Sequence, residues 1–152
     1  SEADARQVVA HYHLDPGFTL FVGTLEPRKN IPGLLLAYRM LLDQKVTSEP
    51  LVLVGGKGWL YEEIFDRTEA LNLTDQTCFL HGVPDADLPG LYSAASVLAM
   101  PSFYEGFGLP ALEAMSCGTP VVVADRSSLP EVVGEAGFLV DPENPEAIAE
   151  AL

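Results

Sequence analysis

The chain has 152 residues, 48% hydrophobic and 20% charged, with a formal net charge of -14, enough to bury one core without metal or disulfide staples and too hydrophobic for a disordered segment. The acidity argues against a nucleic-acid phosphate binder, which needs a basic stripe to displace counterions, and no apolar run approaches the roughly 18 to 20 residues of a membrane span. Cys78 and Cys117 lie 39 residues apart and form no metal-type or redox-type pair, so both read as buried thiols in a reducing cytoplasm.

From the N-terminus, residue patterning predicts a helix over Ala3–Tyr12, a strand over Phe18–Gly23 and a helix over Ile31–Leu42. A strand at Leu51–Val54, a helix at Leu60–Leu71, a strand at Thr77–Leu80 and a helix at Leu88–Ser93 follow. The remainder alternates in the same way, with strands at Val97–Met100, Pro120–Ala124 and Gly137–Val140 and helices at Pro110–Cys117, Leu129–Val133 and from Pro145 onward. The runs "LVLV" and "VVVA" are apolar at every position, as in strands covered by helices on both faces. The alternation implies an α/β fold, a Rossmann-like doubly wound parallel sheet of about six strands. No secretory signal is read at the N-terminus. The chain opens as though in mid-helix, and "NPEAIAEAL" enters a helix at Asn144-Pro145 and stops after two turns. Residues 1–152 are therefore expected to be one domain of a longer protein.

Ligands of an open parallel sheet bind beyond the carboxyl ends of its strands. Arg28 and Lys29 follow the first strand, Lys57 the second and Arg126 the strand "PVVVAD", so half of the 8 basic residues fall on that rim. Arg6, Arg39, Lys45 and Arg67 lie in or beside helices and are expected to be solvated. Gly23, Gly55, Gly56, Gly58, Gly106 and Gly108 also sit in loops after strands, where close backbone N–H groups and helix N-termini suit a phosphate. An anion is the expected guest. The plainer reading is that the glycines turn the chain and the cations keep an acidic domain soluble.

The stretch "SFYEGFGLPALEAM" places Glu105 in a loop and Glu113 about one turn into a helix that Pro110 can open. Carboxylates can accept from vicinal hydroxyl pairs, as on a ribose or a hexose. Glu113 alone could equally be an acid interacting with the helix dipole, worth about 0.3–1 kcal/mol, whereas Glu105 has a weaker structural excuse. Gly106 to Ala111 also matches the G-x-G-x-x-A dinucleotide pattern, with Asp125 placed 19 residues after Gly106, so a nicotinamide-dinucleotide-binding module stays open. Against it, five residues, Pro101 to Glu105, separate the strand from Gly106, where that fingerprint turns almost directly into its glycine.

Three stretches, "FVGTLEPRKNIPGLLLAYRML", "LVLVGGKGW" and "PSFYEGFGLPALEAMSCGTPVVVADRSSLPEVVGEAGFLVDP", together resemble the C-terminal, nucleotide-sugar-binding domain of a family 4 (group 1) retaining glycosyltransferase of the GT-B class. The resemblance runs from about Thr19 to Val140. It implies transfer of a hexose-type sugar from a nucleoside-diphosphate sugar with retention at the anomeric carbon, without a metal or other cofactor. It implies that Arg28 and Lys29 bind the donor diphosphate and that Glu105 holds hydroxyls of the donor sugar. Gly23, Gly106, Phe107, Gly108 and Leu109 would line the sugar and phosphates, and Glu113 would grip the ribose. Glu131 matches a recurring family acid, structural as readily as functional. His11 and His13, two apart on a predicted helix, and the solitary His81 offer no metal site. The base is not readable, with "HGVP" a candidate loop. The acceptor, whether saccharide, lipid or other, would bind an N-terminal domain absent from these residues. A module that binds nucleotide-sugars without transferring them is the further alternative. The expected location is cytoplasmic, with a peripheral place for the full-length protein at the inner membrane surface left open.

Overall fold

A computed structural model describes residues 1–58 and 61–152. Among them, six strands, β1 (Thr19–Val22), β2 (Leu51–Val54), β3 (Thr77–Leu80), β4 (Val97–Met100), β5 (Val121–Ala124) and β6 (Phe138–Val140), form one sheet in the order β3-β2-β1-β4-β5-β6. Every neighbouring pair is parallel. The helices are α1 (Glu2–His11), α2 (Ile31–Asp43), α3 (Tyr61–Ala70), α4 (Leu88–Ala94), α5 (Leu109–Ser116), α6 (Leu129–Val133) and α7 (Pro145–Ala151).

Side chains of a strand alternate between its two faces, and the two cores follow from that. Phe21, Leu51 and Leu53 pack with residues of α2, α3 and α7, whereas Leu20, Val52 and Val54 pack with residues of α1, α4, α5 and α6. This is why "LVLV" and "VVVA" carry no polar position: all four residues of β2 and of β5 are buried. The edge strand β6 lacks that cover, and its Phe138 is 64% exposed.

Local details differ from the sequence expectation. Helix α1 starts at Glu2, one residue before the expected Ala3, and the Ser1 hydroxyl and the Asp4 side chain form a reciprocal capping box at its first turn. The helix stops at His11, so His13 lies beyond it with φ +58°. Three-residue 3-10 turns at Pro27–Lys29, Thr74–Gln76 and Asp85–Asp87 were not anticipated, because three residues carry no periodicity. Cys78 and Cys117 are half-buried free thiols rather than fully buried ones, and burial pushes the Cys78 thiol up. Arg39 is not merely solvated, since it bonds Asp43 and donates to the Leu71 carbonyl at 3.3 Å. The expected helix start at Leu60, and Trp59 before it, lie outside the described residues. Among the described residues no helix is long and apolar enough to cross a membrane.

Burying two tyrosines makes the fold sensitive to alkali. Burial, reinforced by Glu49, pushes the Tyr38 phenol up to about 12, and burial with Glu113 pushes Tyr92 up as well. Above about pH 10 the unfolded chain loses these protons while the folded chain keeps them. The folded state then binds more protons, so stability falls as pH rises, by at most about 1.4 kcal/mol per pH unit for each tyrosine. Urea midpoints are expected to drop between pH 9.5 and 11.5, and Tyr38→Phe should flatten the drop. A midpoint independent of pH over that window would contradict it.

Candidate functional site

Strands β1 and β4 are neighbours, and the strand order runs outward from them in opposite directions. That pair is the switch point where an open α/β sheet binds its ligands. The two loops leaving it, residues 23–30 and 101–108, are tied together. Asn30 takes a left-handed conformation, φ +59°, and its buried side-chain amide donates to the carbonyls of Pro101 at 2.9 Å and Pro142 at 2.7 Å. The Phe103 N–H donates to the Arg28 carbonyl at 2.8 Å. Gly23 lies close enough that an added Cβ would meet Lys29 Cε at 3.4 Å.

At this junction Lys29 and Glu105 meet. The Lys29 ammonium donates to Glu105 Oε1 at 2.5 Å, with the two side chains only 8% and 6% exposed. The Ser102 hydroxyl donates to the same oxygen at 2.8 Å. The loop before α6 fixes the Glu105 backbone, whose N–H donates to Ser127 Oγ at 2.9 Å while Ser128 Oγ donates to its carbonyl at 3.2 Å. Arg28 is held by Glu26 at 2.5 Å, and one of its terminal nitrogens stands 3.8 Å from Glu105 Oε2 and 3.5 Å from the Tyr104 carbonyl oxygen. Both cations thus converge on the Gly106 turn. Sequence reasoning missed the pairing of Lys29 with Glu105, and spacing holds no signal for it across 76 residues.

Beyond Glu105 the turn opens outward. Gly106 and Phe107 are exposed, and a Cβ at Gly106 would meet nothing within 4 Å. Gly108 caps α5 at φ +81°, where a Cβ would also press on Leu129 at 2.7 Å, and Leu109 is exposed in the first turn. Glu113 lies farther along α5, exposed, and accepts a hydrogen bond from the Tyr92 hydroxyl at 2.7 Å. It lines a hollow of about 330 Å³ with Asp85, Tyr92, Ser116 and Cys117, to which no residue of the 23–30 loop contributes. The two glutamates therefore face different surroundings at the two ends of one loop-helix unit.

The other rim cations do not join. Lys57 sits 5.0 Å from the centre of the Tyr61 ring, and Arg126 pairs with Asp141 at 3.3 Å and Glu143 at 3.6 Å. Glu131 is exposed in the first turn of α6. In the "HGVP" loop, His81 Nδ1 lies 2.7 Å from the Gly55 carbonyl oxygen. The G-x-G-x-x-A match follows β4, whereas in this strand order the dinucleotide turn follows the first strand. Among the described residues no group of three or more His, Cys, Asp or Glu is placed to hold a metal ion.

Residues 5–152 match the family described as "Glycosyl transferases group 1". Over 150 residues the chain is 48% identical to O-antigen chain mannosyltransferase B of Escherichia coli, covering 98% of this chain and 39% of that protein. It is 39% identical over 139 residues to D-inositol 3-phosphate glycosyltransferase of Corynebacterium jeikeium, covering 87% and 33%. Among solved structures it superposes on sucrose-phosphate synthase from Thermosynechococcus elongatus with TM-score 0.83 at 35% identity, over 98% of this chain and 38% of the other. Anabaena HepE, crystallised in complex with UDP and glucose, gives TM-score 0.86 at 26% identity, over 99% and 41%. The chain thus spans about two fifths or less of these relatives.

Proposed function

The chain belongs to the group 1 glycosyl transferases, and from that premise we propose that it is the donor-binding domain of a retaining, metal-independent transferase of the GT-B class. Such an enzyme moves a hexose-type sugar from a nucleoside-diphosphate sugar to an acceptor held by a separate N-terminal domain. The observation that carries this reading is the convergence of Arg28 and Lys29 on Glu105 and the open Gly106 turn, at the β1/β4 switch point. A departing nucleoside diphosphate gains negative charge in the transition state, and preorganised cations and helix-end N–H groups stabilise that charge best. Arg28 and the N-terminal turn of α5 supply this, and Lys29 keeps two further N–H donors beyond the one given to Glu105. On this reading Glu105 Oε2, which accepts no hydrogen bond among the described residues, takes a sugar hydroxyl, and Glu113 takes the ribose. A hollow whose lining includes two carboxylates, Asp85 and Glu113, and no cation suits a neutral polyhydroxyl ring rather than a phosphate. Retention rests on the family resemblance. The mannosyltransferase relative supports mannose as the sugar, and the HepE complex supports a nucleotide-sugar donor. The free thiols of Cys78 and Cys117 support a cytoplasmic setting.

Thermal melts with UDP, GDP, ADP, their sugar conjugates and NADH test the proposal. At one hundred times its dissociation constant a true ligand adds about 2.7 kcal/mol, or roughly 5–10 °C for a domain of this size. One nucleoside diphosphate and its sugar conjugate are expected to give that shift, and Arg28→Ala to remove most of it. A shift with NADH alone would overturn the reading. Sugar transfer by the full-length protein is expected to survive EDTA. A loss that added Mg²⁺ restores would refute metal independence.

A further inference from the structure

We propose that Tyr92 is a positioning residue for the ribose-binding carboxylate: its hydroxyl anchors one oxygen of Glu113 and leaves the other free to take a ribose hydroxyl. The inference rests on the reading of Glu113 given above. Tyr92 is 1% exposed, packed in the core between α4 and the sheet, and its carbonyl accepts a hydrogen bond from the Thr119 hydroxyl. The phenol therefore stands on a rigid base. Glu113, by contrast, is on the exposed face of α5, where an unanchored glutamate samples many rotamers and would have to be ordered by its ligand at a cost in affinity. Among the described residues, the bond from Tyr92 at 2.7 Å is the one hydrogen bond its carboxylate makes. Burial and the neighbouring carboxylate both hold the phenol in its protonated, donating form, so the anchor persists through the neutral range. Both residues line the same hollow together with Ser116, whose hydroxyl donates to the Glu113 carbonyl at 2.7 Å.

The test compares UDP, GDP and ADP with their 2′-deoxy forms by calorimetry. The wild-type domain should bind the ribo form of its own nucleotide at least about tenfold more tightly, the effect of losing one hydrogen bond to a charged group. In Tyr92→Phe, which keeps the ring and removes only the hydroxyl, the ratio should fall to about threefold or less. Glu113→Gln should bring it near one, and adding Tyr92→Phe to that variant should change it no further, because the two residues act as one unit. Glu113→Asp retains the charge but withdraws it from Tyr92, and being exposed it tests the anchor even if Tyr92→Phe fails to fold; it too should lose the discrimination. A role in folding alone would leave the ratio unmoved. A wild-type ratio that persists in Tyr92→Phe or in Glu113→Asp overturns the anchor while leaving the ribose reading intact. A wild-type ratio of one, or no binding by any of the nucleotides, removes the reading of Glu113 and the anchor with it.

Discussion

Lys29→Met is expected to cost about 3–5 kcal/mol of folding stability, the range for removing one partner of a buried ion pair. Methionine nearly matches the lysine stem, so packing survives and charge is what changes. Glu105, 6% exposed, is left with the Ser102 hydroxyl and the distant Arg28 in place of an ammonium at 2.5 Å. For a domain of this size the melting temperature should fall by roughly 6–20 °C. Adding Glu105→Gln should recover most of the loss, because a neutral amide can still accept from Ser102 and carries no charge to desolvate. A Lys29→Met protein that melts within about 1 °C of wild type would show that the pair is not a buried one. This result also governs how nucleotide binding is read. A Lys29 variant confounds lost stability with loss of the proposed phosphate contact, whereas Arg28, 46% exposed, can be removed with little damage to the core.

Gly55→Ala should be destabilising by about 3 kcal/mol, at the upper end of overpacking costs. A Cβ there would stand 1.8 Å from the Gly23 carbonyl oxygen and 2.6 Å from its carbon, and both are backbone atoms that cannot rotate aside. Neither chain is free to retreat. The Gly55 N–H donates to Leu80 at 3.0 Å, and the Gly23 N–H donates to Val54 at 2.8 Å. Relief has to come from pushing out the 23–30 loop, which carries Arg28 and Lys29, so nucleotide affinity should fall as well as stability. The neighbouring Gly56→Ala is the control, since a Cβ there meets nothing within 4 Å, and its stability should stay within about 0.5 kcal/mol of wild type. Equal melting temperatures for the two variants would contradict the close approach of the β1 and β2 loops.

Much of the fold was legible because its signals are local. Residues 51–54 and 121–124 are apolar throughout, as strands covered on both faces require, and each observed strand lies within its predicted span. Helix α5 begins at Leu109, one residue before the predicted start, because Gly108 rather than Pro110 sets its entry. The candidate loops were legible for the same reason, since glycine, proline and the basic pair "RK" mark them without reference to anything distant. The partners of these residues were not. No local signal marks Asn30 as the residue whose amide bridges Pro101 and Pro142. Nor does any local signal tie Ser127 and Ser128 to the backbone of Glu105, which they hold.

The chain's own order of residues determined an α/β sheet, its strand positions and the two loops rich in glycine and charge. Hydrophobic period and turn chemistry act over a few residues and need no partner to be read. Only the tertiary structure decided that Lys29 spends part of its charge on Glu105, that Arg126 turns instead to Asp141 and Glu143, and that Tyr92 anchors Glu113. Those choices depend on which strands become neighbours. The sheet order that sets β1 beside β4 comes from the packing of whole crossover units, which no short stretch of sequence encodes.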